Sequence, residues 1–296
     1  MSFHAVEEIL QACRQKNQPF WQVVLEADAE EQGISTEASR AYMQHAWNVM
    51  QASIENYDPD MRSFSGMTGG EGGRMAAWAA AGNTLCGPFM AQVITRALMM
   101  GCSNACMRRI VAAPTAGACG VLPAVLYTCR REGGCPEEKI LQALYVAAGI
   151  GQVIAERASI SGAEGGCQAE IGTASGMAAA ALVAVRDGTP EQMADACAIA
   201  ISGLLGLVCD PVAGLVEVPC VKRNVLGALN AVSSAEMVMA GITSRIPADE
   251  VIDAMRVVGH SMSMDLRETG RGGLAGTPTG ASIRRRMNGS FETKQE

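Results

Sequence analysis

Three of the eleven cysteines differ from the rest by their neighbours. Cys167 follows Gly165-Gly166, Cys209 precedes Asp210-Pro211, and Cys220 follows Pro219. All three fall at breaks between helical patterns, where a loop can turn a thiolate toward a common point. Thiolates are soft ligands suited to zinc or iron–sulfur clusters. The spacing, with 41 and then 10 intervening residues, matches neither a zinc ribbon nor a ferredoxin run. Spacing alone therefore leaves a metal centre and three unrelated thiols both open. If the three share a four-iron cube, one iron keeps an open position. It can then act as a Lewis acid toward a hydroxyl leaving group, which is elimination chemistry rather than electron transfer.

A second candidate is the run Ser65, Gly66, Met67, Thr68, Gly69 and Gly70. Its glycines let successive N–H groups converge into an anion-binding nest, and Ser65 and Thr68 add hydroxyl donors. A carboxylate or phosphate suits such a nest; a plain turn between helices is the structural alternative. The Ser-Gly-x-x-Gly-Gly pattern recurs at 161–166, either as a trace of duplication or as two loops with one backbone problem. The dinucleotide fingerprint and the P-loop pattern are both absent, and no lysine sits in a clear pyridoxal-phosphate motif. Of the three histidines, His4 and His45 read as structural or solvated. His260 ends a helix near the last glycine-rich loop and is the histidine candidate for a general base. A serine or threonine alkoxide and a group from a partner chain are further candidates; Glu164 and Glu170, which flank Cys167, rank behind them, since a capping or solvated role is expected first.

Cys86, Cys102, Cys106, Cys119, Cys129 and Cys197 lie in apolar or Ala-rich stretches and read as packing residues. Cys13 and Cys135 lie near the polar ends of elements. Eleven cysteines without a dense secreted-type pattern point to a reducing compartment, and the amphipathic, acidic first ten residues do not read as a signal peptide. The cytoplasm is the expected location.

The elements that must position these residues follow from composition. The 296 residues are 49% hydrophobic, 18% charged and 4% aromatic, so disorder is excluded. A net charge of −7 argues against nucleic acid as a partner, and the Arg284-Arg285-Arg286 run reads as a solvated patch. Two uncharged stretches, 75–95 and 110–129, are interrupted by Gly, Pro and Asn, and read as core segments rather than membrane spans. Thr189-Pro190-Glu191-Gln192 has the form of a capping box with proline at the first helical position. Pro136 and Pro247, each followed by acids, start helices in a similar way. Segments 38–54, 137–158 and 172–185 read as helices, and Val251, Ile252, Met255, Val258 and Gly259 follow helical spacing. No stretch alternates cleanly as a strand. The expected fold is all-α, a single domain over 1–296 with buried helices packed through Ala and Gly. Glycine-rich breaks at 65–73, 113–120, 161–167, 209–220 and 270–280 form the site, and a loosely ordered tail begins near 284.

Taken in order, these pieces resemble the α chain of iron–sulfur-dependent L-serine dehydratase. The resemblance rests on 65–70 (SGMTGG), 110–120 (IVAAPTAGACG), 165–172 (GGCQAEIG), 209–224 (CDPVAGLVEVPCVKRN) and 272–275 (GGLA). Each piece is weak alone; the ordered set is specific and covers most of the chain.

The resemblance implies an all-helical catalytic domain that carries a 4Fe–4S cluster on Cys167, Cys209 and Cys220 and needs no pyridoxal phosphate. It implies that the 65–70 loop holds the carboxylate of L-serine, which is converted to pyruvate and ammonia. It also implies a separate β subunit in a homo- or hetero-oligomer, because 296 residues leave no room for the regulatory-type domain of single-chain members. Some single-chain members end in a cysteine that caps the open iron, whereas residues 288–296 contain none. An L-cysteine desulfidase with the same cluster is the nearest rival. A non-catalytic iron–sulfur scaffold is a more distant one.

Overall fold

The computed structural model describes residues 3–292. The fold is all-α, as the sequence predicts. Its helices are α1 Val6–Lys16, α2 Phe20–Gln32, α3 Thr36–Glu55, α4 Glu71–Ala80, α5 Gly87–Ala105, α6 Val121–Arg131, α7 Glu137–Arg157, α8 Gly162–Gly165, α9 Thr173–Val185, α10 Pro190–Ser202, α11 Cys220–Met239, α12 Ala248–Ser261 and α13 Pro278–Glu292.

The centre of the fold is α9. From Thr173 to Val183 every residue is buried, because α7, α10 and α11 pack around it. Four consecutive alanines, Ala178 to Ala181, are fully enclosed, which lets the neighbouring helices approach closely. The stretch Gln168–Val185 is long and apolar enough to cross a bilayer, yet 89% of it is buried inside the fold, where it serves as the core helix. The uncharged stretches 75–95 and 110–129 each break into helix and turn, because Gly82, Gly87 and Pro114 interrupt them.

Local signals in the sequence account for several helix starts. Thr189 and Gln192 form the complete capping box, with Gln192 N–H donating to Thr189 Oγ1 at 3.2 Å and Thr189 N–H to Gln192 Oε1 at 2.9 Å. Pro136 and Pro247 immediately precede α7 and α12. On α12, Val251, Ile252, Met255 and Gly259 face the core, as their spacing requires.

Residues 284–292 belong to α13. Pro278 opens that helix, the Thr277 hydroxyl accepts from Gly280 N–H at 3.1 Å, and Arg284 donates to Gly270 O at 3.2 Å. The remaining tail residues, 293–296, lie outside the described residues. The two Ser-Gly-x-x-Gly-Gly copies also differ in backbone. The first is an irregular turn with positive φ at Gly66 and Gly69; the second is the single turn α8, ended by Gly166. They do not solve one backbone problem.

Because α9 has no free volume around its alanines, Ala180→Leu is expected to destabilise the protein by about 1–3 kcal/mol through overpacking. Chemical denaturation measures this, and an unchanged midpoint would contradict the packing described.

Candidate functional site

Three loops meet at the N-terminal ends of α9 and α11. After α8 the chain passes Gly166 and Cys167 into a π-helical turn, Gln168–Gly172, that leads directly into α9. Such turns are rare and concentrate at functional sites. Cys209 follows α10 and pairs with Arg267 in an isolated parallel bridge. Its N–H donates to Leu266 O and its carbonyl accepts from Glu268 N–H, both at 2.8 Å. Cys220 is the first residue of α11.

The three sulfurs belong to one buried neighbourhood, with Cys167, Cys209 and Cys220 only 3%, 4% and 8% exposed. Cys209 senses the charge of both Cys167 and Cys220, and Cys167 senses that of Cys220. Burial dominates their acidity, pushing Cys167 and Cys220 up to about 12 and Cys209 well above the usual thiol range. Arg223, one turn into α11, lies close enough to Cys167 to act on its thiol and donates to Val208 O at 2.7 Å. Its Nη2 lies 2.8 Å from Asp210 Oδ1. Asp210 in turn accepts from Leu274 N–H at 2.7 Å, which draws the last glycine loop onto the cluster. Gly273 makes that contact feasible: its φ is +55°, and a Cβ there would stand 2.4 Å from Asp210 Oδ2.

Glu170 sits on the π turn and points into the same space. Thr115 Oγ1 donates to its Oε1 at 2.7 Å. A side-chain carbon built on Gly162 would lie 2.9 Å from Glu170 Oε2, 3.0 Å from Cys209 Sγ and 3.3 Å from Glu268 Oε2. The carboxylate is therefore half-buried where four loops meet, instead of taking the capping or solvated role expected from sequence. Burial, with the charge of Glu268, raises its carboxyl above the usual range.

Asn224 staples the 113–120 loop to this assembly. It is 2% exposed, accepts from Gly120 N–H at 2.7 Å, and donates to Gly117 O at 2.8 Å and Cys220 O at 3.0 Å. No local pattern marks it in the sequence, because the loop residues it holds, Gly117 and Gly120, lie more than a hundred residues away.

The 65–70 loop joins the site through a carboxylate. Glu217, three residues before Cys220 and 5% exposed, accepts from Ser63 Oγ and Ser65 Oγ, both at 2.6 Å. The N–H groups of the loop are engaged within the chain. Gly66 N–H bonds Ser63 O, Met67 N–H bonds Ser65 Oγ, Thr68 N–H bonds Ser63 Oγ, and Gly69 N–H bonds Glu71 Oε2. Thr68 is buried with its hydroxyl 3.7 Å from Cys102 Sγ. Gly70 opens α4, and Gly69 could carry no side chain, since a Cβ would fall 2.1 Å from Met61 O. The loop thus already binds two of the chain's own carboxylates, Glu217 through Ser65 and Glu71 through Gly69 N–H.

His260 is placed elsewhere. It is exposed on α12 and borders a hollow of about 10 Å³ with Ser159, Glu164 and Arg256. Among the described residues, no hydrogen bond or ion pair ties it to the thiols. His4 pairs with Glu156 at 2.5 Å and His45 with Arg109 at 3.3 Å, as structural histidines do. Cys86 is exposed and Cys106 half-exposed, so the packing role read for them does not apply; Cys13 and Cys135 are buried.

Comparison with known proteins fits this geometry. The family model for the serine dehydratase alpha chain matches residues 15–275. The chain belongs to this family. It is 45% identical over 287 residues to the probable L-serine dehydratase alpha chain of Bacillus subtilis, covering 97% of this chain and 96% of that one. It is 42% identical over 284 residues to the L-serine dehydratase alpha chain of Peptoniphilus asaccharolyticus, covering 95% and 97%. To the L-serine dehydratase TdcG of Escherichia coli it is 46% identical over 181 residues, which are 60% of this chain and 40% of that one.

The thiol cluster fits an iron–sulfur group in its chemistry. It offers three soft donors in a buried pocket, with the Arg223 cation beside them to balance anionic sulfur. Among the described residues, no three His, Cys, Asp or Glu side chains close tightly enough to hold a single metal ion.

Replacing Asn224 with Leu keeps the volume but leaves Gly120 N–H unpaired in the interior. A loss of about 1–3 kcal/mol is expected, measurable by urea unfolding, and no loss would mean that Asn224 does not hold the loop.

Proposed function

We propose that the chain is the catalytic subunit of a 4Fe–4S-dependent L-serine dehydratase that converts L-serine to pyruvate and ammonia, acting with a separate β subunit. The observation that carries this reading is the shared burial of Cys167, Cys209 and Cys220 beside Arg223 and Glu170. Membership of the serine dehydratase alpha chain family supports the substrate and the reaction.

In this proposal Cys167, Cys209 and Cys220 hold the cluster, and Arg223 offsets their negative charge. The cluster, when bound, would supply an open iron as a Lewis acid for the departing hydroxyl. The 65–70 loop takes the substrate carboxylate in exchange for Glu217, since the Ser65 hydroxyl already pairs with a carboxylate. Glu170 takes the Cα proton. It is held by Thr115 where the four loops meet, and burial strengthens it as a base. The 2-aminoacrylate released by loss of water tautomerises and hydrolyses in solution.

Anaerobic reconstitution with iron and sulfide, followed by a pyruvate assay on L-serine and L-cysteine side by side, tests the whole reading. About four irons per chain and preferential turnover of L-serine are expected. A colourless protein with structural cysteines would reject the reading, and so would a preference for L-cysteine.

Glu170→Gln should lower kcat by about 10²–10⁴-fold while iron content stays at the wild-type level. Unchanged kcat would remove Glu170 from the role of base. Ser65→Ala should raise KM for L-serine roughly tenfold, the effect of one lost hydrogen bond to a charged group, with the cluster's absorbance intact. An unaltered KM would exclude the loop from carboxylate binding.

A further inference from the structure

A second cavity, of about 410 Å³, opens at the opposite ends of the two helices that lead away from the thiol cluster. Its floor is apolar: Leu182 and Val185 from the end of α9, and Val232 and Met239 from the second half of α11. None of the three thiols lines it. Cys220 is twelve residues from Val232 on the same helix, about 18 Å along the axis at 1.5 Å per residue.

Two charged side chains stand on its wall, Arg186 just after α9 and Glu236 on α11. Both are exposed. Among the described residues, neither side chain makes a hydrogen bond or ion pair. Lys139, also on the wall, is by contrast already paired with Asp187. The wall includes Pro136, so the positive end of the 21-residue α7 opens beside the cavity. The acids in that first turn are turned away, Glu138 to Arg40 and Glu137 to Gln44 on α3.

A free cation and a free anion above an apolar floor match a zwitterion that carries a hydrocarbon or thioether side chain. The volume lies within the range of small-molecule sites, about 300–1,000 Å³. We infer that this cavity binds an apolar α-amino acid, with its carboxylate on Arg186, its ammonium on Glu236, and its side chain on Leu182, Val185, Val232 and Met239. L-serine does not suit the site, because its hydroxymethyl group would leave the floor uncovered and bring a polar group against it. The inference does not depend on the reaction proposed for the thiol cluster.

Isothermal titration calorimetry on the full chain tests it directly. The probes are L-leucine, L-methionine and L-valine, with 4-methylpentanoate and 3-methylbutylamine as analogues lacking the ammonium and the carboxylate. Saturable one-site binding of at least one of the three amino acids is expected. Binding should weaken at least tenfold in Arg186→Ala and at least tenfold for both analogues, and L-serine should not compete. Arg186 and Glu236 are exposed, so Arg186→Ala and Glu236→Gln leave the fold intact. Ala235→Phe, which fills the cavity from α11, should abolish binding. Absence of saturable binding for all three amino acids would overturn the inference, as would equal affinity in Arg186→Ala or competition by L-serine.

Discussion

The site depends on one buried cation. Arg223 is 13% exposed and Asp210 3%, and their ion pair lies in a pocket that also holds three thiols, Glu170 and Glu268. A carboxylate enclosed this deeply needs a partner to offset its lost hydration. Removing one member of such a pair typically costs about 3–5 kcal/mol, because the other is left buried and alone. Arg223 serves two groups at once, the Asp210 carboxylate and the Val208 carbonyl, and brings its charge beside the Cys167 thiol. Through Asp210 it also reaches the backbone of Leu274, so the last glycine loop shares the same anchor. The planar guanidinium suits this task, since it presents donors in several directions from one charge.

Much of the local structure was legible in the sequence because its causes are local. The Thr189–Gln192 box, the prolines before α7 and α12, and the core-facing spacing on α12 each need only a few neighbouring residues. What depends on contacts across a hundred residues was not legible. Asn224 and Glu217 lay inside quoted motifs with no role, yet one staples two loops and the other fills the hydroxyl pair of a third. Glu170 was read as solvated because a glutamate beside a glycine-rich break usually is. Its enclosure comes from Thr115 and the 209–220 and 267–268 segments, none of them near in sequence. His260 was singled out because it ends a helix near a glycine loop, but its side chain leaves the helix on the solvent side.

The glycine and alanine content has two distinct physical uses, and they explain why a chain so poor in aromatics holds its shape. Around α9, small residues bring helices together. Gly101 of α5 is so close to α11 that a Cβ would stand 3.2 Å from Val221 Cα, next to Cys220. Close packing of this kind leaves side chains few alternative positions and fixes the helix ends to which the thiols are attached. Around the cluster, glycines instead let polar side chains come up against the backbone. Any side chain at Gly162 would enter the space bordered by Cys209, Glu170 and Glu268, and one at Gly273 would displace the Asp210 carboxylate. The glycine-rich breaks are therefore a negative image of the site: they occur where polar groups from separate loops must meet. A loop without side chains has little hydrophobic reason to stay in place, so each is tied by a specific polar bond. Asn224 holds the first, Asp210 the last, and Glu217 the serine-rich one. The core supplies rigidity, and these three side chains convert it into position.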